Sequence, residues 1–237
     1  MRGLPGTGAA GTIAALLPAR PFCHYGAALH VFDFLGPGPV HPPENESCGI
    51  SVLAAALDER DSYTDQHCDR VSLLAHGLGE RCGLSGPQLE QLALAARFHD
   101  VGKIGIRDDV LLHPGRLDEP RMEKMRTHPE RGARLFAATG RDDAAAVARL
   151  ILHHHEAWDG SGYPHGLQGD EIPLEARILT IADGYDALTS RRPYRGPLHT
   201  DDALAILNRE KNRLVDARLL GEFRGLLRAR ARGRPAS

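Results

Sequence analysis

The strongest constraint on the fold is that metal-ligand residue types recur along this chain in phase with a helical apolar pattern. Between residues 64 and 82, Val71, Leu74, Ala75, Leu78 and Cys82 follow the i, i+3, i+4, i+7, i+11 spacing of one helical face. His67 lies four residues before Val71 and shares that face. A second helix opens at Ser85, where Gln88 completes a capping box. Its apolar face, Leu89, Leu92, Ala93 and Ala96, leads directly into His99 and Asp100 before Gly102 and Gly105 break the pattern. Asp118, with Glu119 and Pro120, starts a helix that carries Met122 and Met125 toward His128. Pro129 then begins another. From about 143 to 157, Val147, Leu150 and Ile151 form an inner face that His154 and His155 extend by one turn. A Gly-rich loop spans 159–170, and Pro173 opens a helix through about residue 190 that carries Asp183 and Asp186. Shorter amphipathic helices near 201–210 and 215–228 follow.

Such a chain folds as helices whose inward faces converge on imidazoles and carboxylates. Buried imidazoles without partners are costly, and these two donor types are the ones that divalent iron, manganese or zinc take. His67, His99, Asp100, His128, His154, His155 and Asp183 are more donors than one ion needs. The surplus points to a two-metal hydrolase rather than to a structural zinc site.

Bulk properties agree with an all-α reading. Of 237 residues, 42% are hydrophobic, with Ala and Leu dominant, and only 5% are aromatic. A net charge of −2 gives no electrostatic case for direct DNA or RNA binding, so a nucleotide would need a local cluster of cations. Cys23, Cys48, Cys68 and Cys82 form no CxxC pair, which suits a reducing cytoplasm. No apolar run reaches the roughly 18 residues that span a bilayer, and the interrupted stretch from Ala9 to Leu17 does not read as a signal peptide. Residues 1–46 are a Gly/Pro-rich segment or linker, too short for a receiver or sensor domain.

The chain resembles the HD-GYP subfamily of HD-domain metal-dependent phosphohydrolases. The matching strings are DSYTDQHCDRV (61–71), AARFHDVGKIGI (95–106), LLHPGRL (111–117), THPERGARL (127–135), HHEAWDGSGYPHGLQGDEIP (154–173) and ARILTIADGYDALTSRRPYR (176–195), with a weaker VDARLLGEF (215–223). The likeness implies an HD helical core with additional C-terminal helices over residues 47–228, followed by a basic tail at 229–237. It also implies a bimetallic centre of iron or manganese. One ion would be held by His67, His99, Asp100 and Asp183, the other by Asp100, His128, His154 and His155, with Asp100 bridging. Some members bind a third metal through a Glu one turn before the first His; here that position is Tyr63, so two ions are expected. Asp61 and Asp65 lack the required spacing, and His113, where the family often has Lys, is given no metal role.

The resemblance further assigns Asp100 and Lys103 to catalysis. It gives Lys103, Tyr163, Arg192 and Arg195 to substrate binding, with Arg191 a weaker match. Glu156, Asp159 and Asp186 would orient ligands or bridge to the basic residues. The implied reaction is hydrolysis of cyclic di-GMP to linear pGpG by a hydroxide that the two cations share, with a second cut to GMP left open. The alternatives are another cyclic dinucleotide as substrate, or a module that binds a nucleotide or partner without turnover. Contact between the GYP loop and GGDEF-domain proteins is a further implication, and the oligomeric state is left open.

Overall fold

The structure, a computed structural model, describes residues 46–60, 62–191 and 196–232, with backbone alone at 46–48, 57–60 and 62–65. The described residues are helical as expected and contain two isolated β-bridges but no strand. In order they form α1 (Glu46–Arg60), α2 (Ser62–Arg81), α3 (Gly86–Phe98), a 3-10 turn (Val101–Gly105), α4 (Asp108–Leu111), α5 (Glu119–Met125), α6 (His128–Ala137) and α7 (Ala144–His153). A second 3-10 turn (Gly169–Glu171), α8 (Leu174–Thr189), α9 (Thr200–Arg209) and α10 (Ala217–Arg232) follow among the described residues.

The bundle closes around α2, which packs along α3 and α8, while α7 lies against α6 and α3. Helices α9 and α10 pack on α8, and α10 also covers α2. The face read from α2 is the buried one: Val71, Ala75 and Leu78 are fully enclosed and Leu74 nearly so, with Cys82 at its margin. The stripe on α3 is turned from the one expected. Leu92, Ala95, Ala96 and Phe98 are buried, whereas Leu89 and Ala93 are only partly covered. The reason is that α3 has α2 on one side and α7 and α8 on the other, so no single narrow stripe describes it.

Local signals start the helices where the sequence places them. The Gln88 side chain accepts the Ser85 backbone N–H at 3.1 Å, and Asp118 accepts the Arg121 N–H at 3.1 Å. Pro129 occupies the first turn of α6, with His128 opening it. Two ends differ from the pattern. Helix α7 stops at His153 rather than running through His155, because the His154 ring takes the terminal carbonyl of Ile151 at 2.6 Å. Helix α10 continues past residue 228 to Arg232: its apolar anchors Leu219, Leu220 and Phe223 are behind it, and Ala and Arg prolong a helix without needing burial.

One close approach sets the spacing of the whole site. A Cβ on Gly102 would lie 1.9 Å from the His128 carbonyl oxygen and 2.5 Å from the Gly132 nitrogen. Only glycine lets the turn that follows His99 and Asp100 rest directly on the backbone of α6, and that contact brings Asp100 to His128.

Candidate metal centre

The expected residues arrive from five places: His67 from α2, His99 and Asp100 from the end of α3, His128 from the start of α6, His154 and His155 from the end of α7, and Asp183 from α8. Among the described residues, His67, His99 and Asp100 form one group of potential metal donors, and His128, His154 and His155 form another. In each group the ligand atoms lie within 4.8 Å of one another. Asp100 faces both groups: Oδ2 is 3.5 Å from His99 Nε2, and Oδ1 is 3.4 Å from His128 Nε2. Asp183 Oδ1 lies 3.3 Å from His67 Nε2.

Backbone geometry decides which nitrogen each ring offers. His99 donates Nδ1–H to the Ala96 carbonyl at 2.8 Å, His128 to Met125 at 2.8 Å, and His154 to Ile151 at 2.6 Å. A carbonyl can only accept, so the proton sits on Nδ1 and the Nε2 lone pair is left for the interior. The His128 and His154 Nε2 atoms are 3.4 Å apart. Two lone pairs turned on each other at that distance fit a shared cation. Burial keeps the rings of His128, His154 and His155 neutral: it pushes His128 and His155 down to about 3 and His154 well below its usual range.

At the other end the balance is reversed. Burial alone would lower His67, but hydrogen bonds to Asp183 and Asp186 outweigh it and raise the ring to about 9. Burial would also raise Asp100, yet Lys103, first among the neighbouring positive charges, holds the carboxyl well below its usual range. The Lys103 ammonium lies 2.5 Å from Asp100 Oδ2. Ionised carboxylates and the neutral rings of His128, His154 and His155 are already in the states that divalent cations require, and His67 would give up its Nε2 proton as a cation bound. The donor set therefore fits metal ions.

The residues expected to orient the ligands divide into two kinds. Asp186 accepts from His67 Nδ1 at 2.7 Å and from Arg70 Nε at 2.6 Å, so it holds a ring of the first group. Glu156 and Asp159 instead serve the loop. The buried Glu156 carboxylate accepts the backbone N–H of His165 at 2.8 Å and of Leu167 at 3.1 Å. Asp159 accepts the N–H of Ser161 at 2.9 Å. That loop folds onto the end of α7 because Gly162 has no side chain; a Cβ there would meet the Ala157 nitrogen at 2.2 Å. Tyr163, next in sequence, packs its ring 4.9 Å from that of His155, and burial raises its phenol so that it stays protonated. Arg192 and Arg195 lie outside the described residues, as do the side chains of Tyr63 and Asp65. Arg70 stands outside the expected set; its one mark in the sequence is a basic residue one turn after His67 on the same helix.

A family profile described as HD domain matches residues 51–219. The chain belongs to the HD-domain family. It is similar to the cyclic di-GMP phosphodiesterase response regulator RpfG of Xanthomonas campestris, with 44% identity over 188 residues, 79% of this chain and 49% of that protein. It is also similar to a cyclic di-GMP phosphodiesterase of Thermotoga maritima, with 36% identity over 174 residues, 73% of this chain and 47% of that protein. This HD-domain chain thus spans about half the length of the curated relatives it matches. Among solved structures, a cyclic GMP-AMP-specific phosphodiesterase of V. cholerae superposes with a TM-score of 0.56 at 22% identity, covering 78% of this chain and 49% of that one. That likeness is one of fold. Among the described residues no helix is long and apolar enough to cross a membrane.

Proposed function

We propose that this chain is a metal-dependent phosphodiesterase that hydrolyses cyclic di-GMP to linear pGpG, with GMP as a further product. The observation that carries the reading is the pair of donor groups with one carboxylate, Asp100, facing both. His67, His99, Asp100 and Asp183 would hold one cation, and Asp100, His128, His154 and His155 the other, with iron or manganese suited to the imidazole and carboxylate mixture. Once bound, such a pair supplies Lewis acidity at phosphorus and an activated water for in-line attack.

The chain's own residues prepare that chemistry. The carbonyls of Ala96, Met125 and Ile151 aim three Nε2 atoms inward, and Asp186, backed by Arg70, does the same for His67. Lys103 is part-exposed on the carboxylate of Asp100, one side-chain swing from a phosphate oxygen entering the site. Tyr163 presents a protonated phenol and an aromatic face for a guanine at the rim. Arg192 and Arg195 are proposed to embrace the phosphate and base. The names of the Xanthomonas and Thermotoga relatives support cyclic di-GMP as the substrate.

The test compares rates on cyclic di-GMP, cyclic GMP-AMP and an unrelated phosphate monoester with iron- or manganese-loaded protein. Preferential cleavage of cyclic di-GMP supports the assignment. Equal turnover of all three would reduce it to an unspecialised phosphohydrolase, and binding without turnover would leave a nucleotide sensor.

A further inference from the structure

A third group of metal donors lies outside this centre. His153, Glu156 and His165 bring their ligand atoms within 4.8 Å of one another. His153 is the last residue of α7, and His154 and His155 turn from it toward the two-group centre. Its side chain is only 9% exposed, and its Nδ1 is buried without a hydrogen-bond partner. Glu156 Oε1 faces it at 3.6 Å, on a side chain that is fully enclosed. The His165 ring stands 5.3 Å from the His153 ring, and His165 itself is exposed.

The loop backbone creates this meeting. Glu156 accepts the N–H groups of His165 and Leu167, which pins the far limb of the GYP loop beside the end of α7. Each carboxylate oxygen keeps a second lone pair after accepting one N–H. A buried imidazole nitrogen whose one facing group is a carboxylate just beyond hydrogen-bond length leaves room for a cation between the two. Donors around a tetrahedral zinc lie about 3.4 Å apart, as follows from bonds of about 2.0–2.1 Å. The 3.6 Å separation of His153 and Glu156 needs almost no adjustment to reach that spacing. Two imidazoles and one carboxylate form a three-ligand zinc set, and the exposed His165 side leaves the fourth position to water.

We infer that His153, Glu156 and His165 form an auxiliary zinc-class site that staples the GYP loop to the end of α7. Its nitrogen-rich donor set selects a transition metal over magnesium or calcium. Metal binding there would hold Tyr163 against His155 by fixing the loop on the far side of Gly162. The site does not depend on the phosphodiesterase reading.

The test measures zinc per chain after chelator stripping, zinc loading and gel filtration, in an Asp100→Ala background that weakens the main centre. This background is expected to retain a zinc equivalent that the Asp100→Ala/His165→Ala double variant loses. In the otherwise unchanged protein, zinc is expected to slow proteolysis within 159–168, and His165→Ala to abolish that protection. His165 is exposed, so its removal leaves the fold intact even where His153→Ala fails to fold. Equal zinc content with and without His165, or equal protection of the loop, would overturn the proposal.

Discussion

Replacing Gly102 by alanine places a methyl group against backbone, where no rotamer change can make room. The new carbon would stand 1.9 Å from the His128 oxygen, 2.5 Å from the Gly132 nitrogen and 2.9 Å from the His128 carbonyl carbon. An ordinary contact needs about 3.5 Å, so α6 and the turn must separate by about 1.5 Å. Overpacking typically costs 1–3 kcal/mol, and a clash with rigid backbone falls at the top of that range, about 3 kcal/mol or more. For a chain of this size that lowers Tm by roughly 6–12 °C. The same displacement pulls His128 Nε2 away from Asp100 Oδ1, now 3.4 Å distant, and misplacement of about 1 Å can cost 100-fold in rate. Gly221→Ala is the matched control: in the middle of α10, a Cβ there meets nothing within 4 Å. It should stabilise by about 0.5–1 kcal/mol. Thermal melting followed by circular dichroism, with metal content measured on the same samples, separates the two. A Gly102→Ala protein that melts with wild type and keeps its metal would refute the argument that this contact sets the spacing of the site.

Other consequences are as specific. Asp186→Asn keeps the shape but removes the charge shared by His67 and Arg70; metal affinity should fall about 10- to 100-fold with the fold intact, as equilibrium dialysis would reveal. Glu156→Gln turns an amide toward the two loop N–H groups that its carboxylate accepts, at a cost of about 1–3 kcal/mol, and should hasten proteolytic cutting of 159–168. Tyr163→Phe retains the ring against His155 and should leave metal content unchanged, so any change would show in KM for the nucleotide. Chelation should abolish hydrolysis, and iron or manganese should restore it; activity that persists in the fully stripped protein would count against a metal reaction.

Much of this was legible because helical period and ligand position coincide. His67 shares the phase of Val71, and His99 and Asp100 that of the α3 stripe, so inward placement could be read before any contact was known. Cap residues were equally readable, since Ser85 with Gln88, and Asp118, act within a single turn. The rest depends on tertiary encounters. The wider burial of α3 follows from its neighbours rather than from its own pattern. The end of α7 is decided by the His154 ring taking the Ile151 carbonyl. The difference between Asp186, which holds His67, and Glu156, which holds the loop, depends on which elements lie across from each carboxylate. The pairing of His153 with His165 needs the loop to fold back, which no local pattern announces.

The central claim is that Asp100 joins two cations in a centre that cleaves cyclic di-GMP. It is tested most directly by incubating metal-loaded wild type and Asp100→Ala with cyclic di-GMP, and measuring linear product and metal at the two-group centre together. The account predicts pGpG and two ions at that centre for wild type, with loss of both metal and product in the variant. Wild-type protein that carries iron or manganese yet forms no product, or an Asp100→Ala variant that hydrolyses as well as wild type, would contradict it.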